Sequence, residues 1–155
     1  MLSTGNEGEA QAMSRPYILR GQLQEFTETQ ILSIDPARTG LAFRIVEFYV
    51  AGQMNDANDD VYAKLSTRET GTANWNWNDN REVAWASTNV NSAAGASAPY
   101  MVIDPQLVIS DLYINGNTNG ASGTVYNYYI HLERVSVTED QTVLGLIKER
   151  AQDDL

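Results

Sequence analysis

The sequence predicts an all-β protein: an antiparallel β-sandwich with one short α-helix near the C-terminal end. Three observations carry that expectation. Short runs of alternating apolar and polar residues recur about every 8–15 residues along the 155-residue chain. Clusters of Gly, Asn, Asp and Pro separate those runs, as tight connections require. Only one segment, close to the end, combines a helix-start signal with helical periodicity.

Taken in order, residues 1–15 are polar and without period, and they read as a flexible N-terminal arm closed by Pro16. The remainder, 16–155, reads as a single domain. Residues 17–24 and 26–34 are candidate strands, followed by a turn at Asp35–Pro36 and Gly40. The run 41–51 (LAFRIVEFYVA) is the strongest strand. Leu41, Phe43, Ile45 and Tyr49 share one face and Val46, Phe48 and Val50 the other, so both faces are expected to be covered, or one to meet a partner.

A polar loop over 52–60 precedes a strand at 61–67. The segment 68–80 is polar and Asn-rich and carries Trp75 and Trp77. Residues 81–87 alternate again, with Trp85 expected in the core, and 89–98 read as a surface loop of small residues. Strands are expected at 101–103 and 107–114. Two Asn-Gly pairs then mark a long turn over 115–123. The last strand, 125–137, places Tyr126, Tyr128, Ile130 and Leu132 on one face; Val135 and Val137 have the opposite parity, which predicts a bulge near Arg134. Thr138-Glu139-Asp140-Gln141 is a capping box, and Val143, Ile147 and Ala151 lie on one face of the helix predicted over 139–151. Lys148 and Arg150 suit its carboxyl end.

Composition removes much catalytic vocabulary. The chain has no Cys, which excludes disulfides, thiolate zinc sites, iron–sulfur ligation and a Cys nucleophile. Its single histidine, His131, excludes a multi-histidine metal site within one chain. Twenty acids against ten bases give a net charge of −10, which repels a phosphate backbone and argues against strong nucleic-acid binding. Only Lys64 and Lys148 are lysines; an acidic, lysine-poor surface fits a protein that stays soluble in salt, and equally an ordinary acidic one. No run approaches the roughly 18 apolar residues of a transmembrane span. The first sixteen residues lack the basic and apolar regions of a secretory signal, so synthesis and use in the cytoplasm, or release with a larger particle, is expected.

Three constellations could carry function. Of the acids expected in strands, Glu47, Asp104, Asp111 and Glu133, a catalytic pair would need convergence in a cleft; strand acids more often face solvent or pair with arginine. His131 shares a face with Tyr129 and Glu133 and is expected in a polar cross-strand ladder, with no nucleophile motif beside it. Asp56, Asn58 and Asp60 open like a calcium loop, although Val61 and Thr67 stand where that loop needs glycine and a bidentate glutamate. The alternatives are a calcium site completed from elsewhere and an acidic solvated loop. Trp75 and Trp77 could stack on sugar rings, bury against another subunit, or fold over the sandwich.

The pattern REVAWAS (81–87), a small-residue loop, VIDPQLVISDLYI (102–114) and YNYYIHLERVSVTEDQTVLGLIKERAQ (126–152) resembles capsid proteins of small non-enveloped viruses from saline environments. The resemblance covers about the last 75 residues and lies in strand order rather than in a diagnostic motif. It implies a jelly-roll sandwich and self-assembly into a virion in the host cytoplasm, and no catalytic residue or cofactor. It departs from the arginine-rich arm of many such proteins: residues 1–15 hold only Arg15 against Glu7 and Glu9, so genome contact by this arm is not expected. The expected role is therefore a structural virion subunit, not an enzyme, that associates with copies of itself. A carbohydrate-binding module using Trp75 and Trp77, or a non-viral fibre subunit, is the alternative.

Overall fold

Alternation governs every strand of the structure, a computed structural model that describes residues 16–33, 41–53, 60–91, 96–106, 108, 111–119 and 123–136. Among the described residues, eight strands form two antiparallel sheets. The first contains β1 (Pro16–Gln24), β8 (Val125–Ser136) and β3 (Leu41–Gly52), in the order β1-β8-β3. The second contains β2 (Thr29–Leu32), β7 (Leu112–Asn119), β4 (Asp60–Ser66), β5 (Glu82–Asn91) and β6 (Ala96–Ile103), in the order β2-β7-β4-β5-β6. The predicted all-β class and antiparallel pairing are therefore present. The predicted arm 1–15 and helix 139–151 lie outside the described residues.

One apolar cluster draws on both sheets: Phe43, Ile45, Phe48 and Val50 of β3 and Tyr126, Ile130 and Leu132 of β8 join Val61, Ala63 and Leu65 of β4 with Leu112 and Ile114 of β7. The two apolar sets of β3 do not face opposite ways. Ile45 pairs with Leu132 and Glu47 with His131, so Val46 is an extra residue that resets the alternation. Phe43 and Ile45 before it, and Phe48 and Val50 after it, all turn inward, while Tyr49 is exposed. The bulge expected in β8 near Arg134 is thus found in β3, and β8 itself pairs with β1 without a shift.

The side of β3 away from β8 is taken up by Val108, which lies between β6 and β7, and by the second sheet. Phe43 and Val108 exchange backbone hydrogen bonds of 2.8 and 2.7 Å. The Phe48 amide donates to the Met101 thioether at 3.0 Å, and the Thr88 hydroxyl donates to the Val50 carbonyl at 2.6 Å. The sheet edge that remains open among the described strands of the first sheet is β1.

Two loops predicted from small residues are strand instead. β5 and β6 extend to Asn91 and from Ala96, shortening the expected loop. Asn115–Gly116 lies inside β7, not in a turn. Gly116 faces the core, where a Cβ would stand 2.6 Å from Cζ of Tyr126; the glycine is there to admit that ring, and this close approach overrides the turn signal.

The Tyr126 ring is fully buried and its hydroxyl finds no hydrogen-bond partner among the described residues. Burial pushes its phenol well above the usual 10.0, and burial raises Tyr128 also. A phenol with a raised folded pKa adds stability that is present below pH 10 and is lost as the unfolded chain ionises above it. Tyr126→Phe is therefore expected to move alkaline unfolding, followed by circular dichroism, to higher pH. Its stability at neutral pH should be equal or slightly higher, because no hydrogen bond is lost. An unchanged alkaline midpoint would contradict this assignment.

Candidate functional site

The chemistry of the described residues concentrates on the outer face of the five-stranded sheet, beneath the 67–81 connection. Along β4, Val61, Ala63 and Leu65 face the core, so Tyr62, Lys64 and Ser66 face outward. Lys64 is nevertheless 0% exposed, because the connection folds over it. Its ammonium donates to Glu82 Oε2 at 2.9 Å and to the Asn74 carbonyl at 2.8 Å. Glu82 Oε1 accepts from the Asn76 amide and from the Trp85 indole N–H, each at 2.8 Å. The carboxylate is held by three donors, two of them from outside the ion pair.

A second bulge makes this arrangement possible. Leu65 pairs with Ala84 and Ser66 with Glu82, so Val83 is the extra residue. Without it Glu82 would share the core-facing parity of Ala84 and Ala86; with it Glu82 and Trp85 both turn outward beside Lys64. Asn115 stands directly opposite Lys64 on the other side, in β7. It is 4% exposed and its side-chain oxygen has no hydrogen-bond partner among the described residues.

The two loop tryptophans do different things. Trp75 donates its indole N–H to the Ala63 carbonyl at 3.2 Å, meets Tyr62 edge-on at 6.2 Å and stacks on Tyr100 at 6.4 Å. With Tyr62 and Asn74 it lines a shallow cleft of about 410 Å³. Trp77 packs on Trp85 at 5.7 Å yet remains 59% exposed. Trp85 is buried as expected, but on this outer face and not in the inter-sheet core. The connection is also tied at its base. Glu28 accepts from the backbone of Thr70 and Gly71, and Arg81 grips Asp79 at 2.6 Å, which holds the Asp79 carboxyl below its ordinary range.

Of the calcium-loop residues, Asp56 and Asn58 lie outside the described residues. Asp60 opens β4 between Asn89 and Asn119, with a buried oxygen that has no partner among the described residues. Among the described residues no three His, Asp or Glu side chains converge on a metal-sized site. His131 meets the expected polar ladder on one side only: Glu47 stands across from it with its carboxylate 3.8 Å from Nδ1, whereas the residue across from it in β1 is the apolar Ile18. Glu133 faces Arg44 at 3.8 Å. Asp104 and Asp111 fall outside strands, and Asp104 accepts the Gln106 amide in a turn.

Lys64, Glu82 and Asn115 carry no motif or spacing that marks them as a site in the sequence. The available signal was a lysine in the middle of VYAKLS, in a chain with two lysines. Among the described residues no helix is long and apolar enough to cross a membrane. No family model matches this chain, and no curated protein or solved structure matches it either.

Proposed function

We propose that this chain is a jelly-roll structural subunit that assembles with copies of itself, as the shell proteins of small virions do. The observation that supports the fold is the pairing pattern: β1 with β8, β2 with β7, and β4 with β5, as when one long antiparallel ribbon wraps into two sheets. The remaining pair of that ribbon, β3 and β6, lies side by side through the Phe48–Met101 contact.

What supports assembly is the character of the surface. β1 is nine residues long, carries no acid in a chain of net charge −10, and leaves its second edge unpaired among the described strands. Such an edge is a template for another strand. Ile18 is exposed on β1, with Tyr129 and Tyr49 on the outer face of the same sheet. At the corner after β1, Phe26 is 62% exposed and held at φ 58°, a conformation that non-glycine residues adopt at a cost. Placing charge on the edge should block association without touching the core. Ile18→Lys/Gln22→Lys is expected to keep the wild-type circular dichroism and melting temperature while losing oligomers on a sizing column. Oligomers that survive this change unaltered would rule out β1 as the contact.

The exposed Trp77 and the Tyr62–Trp75 cleft favour carbohydrate binding as a second reading. On that reading neutral oligosaccharides quench or shift tryptophan fluorescence in the wild type and not in Trp77→Ala, and the chain stays monomeric.

A further inference from the structure

The buried polar group on the outer sheet face has more chemistry than packing requires. A lysine amine, a carboxylate and a primary amide are all withdrawn from water on three adjacent strands, β4, β5 and β7. The carboxylate is in contact with the amine at 2.9 Å. The amide belongs to Asn115, the residue directly opposite Lys64 in the antiparallel register. Directly opposed residues stand with Cβ atoms about 4.5–5.5 Å apart, well within the reach of a lysine stem. The Asn115 oxygen is left without a hydrogen bond, an arrangement that folded proteins rarely keep without a reason.

We propose that this cluster is self-modifying: Lys64 Nζ and Asn115 Cγ join in an intramolecular amide bond, with Glu82 as the proton carrier. Glu82 first takes a proton from the Lys64 ammonium, leaving a neutral amine beside a neutral acid. The amine lone pair attacks Asn115 Cγ, and negative charge develops on Oδ1. Glu82 gives its proton to the departing Nδ2 nitrogen and accepts one from Nζ. The Cγ–Nδ2 bond breaks and ammonia leaves. One C–N bond forms and one breaks, Glu82 ends protonated, and nothing is oxidised or reduced. Burial assists, because a dry site excludes water as a competing nucleophile. The Trp85 indole N–H and Asn76 amide position the carboxylate from its other oxygen. The product would tie β4 to β7 covalently in a chain that has no cysteine.

Intact mass spectrometry of the purified full chain tests this. The expected mass is that of the sequence less one ammonia, and a digest should contain a branched peptide joining the Lys64 and Asn115 segments. Lys64→Met and Glu82→Gln are expected at full sequence mass. Asn115→Asp, nearly isosteric, should lose water in place of ammonia. Wild-type protein at full mass, with no branched peptide, would overturn the proposal. So would an ammonia loss that persists in Lys64→Met, which would mark a succinimide at Asn115–Gly116. Because the wild-type digest decides the matter alone, a variant that failed to fold would not rescue the idea.

Discussion

Glu82→Gln is expected to destabilise the fold by about 3–5 kcal/mol, the usual penalty for leaving one member of a buried ion pair without its partner. The reason is geometric. Lys64 is 0% exposed, and once the carboxylate is gone its ammonium keeps the Asn74 carbonyl but no opposing charge. For a chain of this size each kcal/mol lowers the melting temperature by roughly 2–4 °C, so calorimetry should show a drop of about 10 °C. If Lys64 is linked to Asn115, the same substitution blocks that bond and the loss is at least as large. Lys64→Met/Glu82→Gln should recover part of the loss, since it removes both charges while glutamine still accepts from Trp85 and Asn76. A single Glu82→Gln variant that melts with the wild type would show that the pair is solvated.

The second large effect is expected at Gly116. An added Cβ would lie 2.6 Å from Cζ and 2.9 Å from Cε1 of Tyr126, a ring with no exposed surface. Gly116→Val should therefore cost about 3 kcal/mol, the upper end for overpacking a core. Gly116→Ala should cost less. Pairing the alanine with Tyr126→Leu removes the obstructing ring, and urea midpoints should show the two changes to be less destabilising together than their sum. Strict additivity would mean that the glycine serves the backbone of β7 and not the ring across the core.

These two sites also show what the sequence could and could not convey. Strands whose side chains alternate without interruption, such as β1, β4 and the inner face of β8, were legible from period two alone. β3 was legible as a strand and misleading as to its faces: the Val46 bulge folds two apolar sets onto one side, and a single inserted residue leaves no compositional mark. Gly116 carried a strong local turn signal that a tertiary contact overrode. The candidate site was half visible. Trp75 and Trp77 stood out in an Asn-rich segment, and both do lie over the outer sheet face. The Lys64–Glu82–Asn115 cluster did not stand out, because its members are spread over three strands and Glu82 reaches the outer face only through the Val83 bulge.

If the chain assembles with copies of itself as proposed, salt should matter. Each copy carries a net charge of −10, so association would bring like charges together and screening by ions would relieve that repulsion. Calcium would act in the same direction, through screening or through the acidic 56–60 segment. The exposed side chains of β1 and of the corner at Phe26 offer apolar contact that salt does not weaken.

The most direct test of the building-block reading is light scattering coupled to size exclusion on the full chain, at low salt, molar salt and with added calcium, with negative-stain images of each fraction. A self-assembling chain gives uniform species far above 17.1 kDa whose population grows as ionic strength rises. A 17.1 kDa monomer in every condition, or particles that dissolve as salt is added, would contradict it.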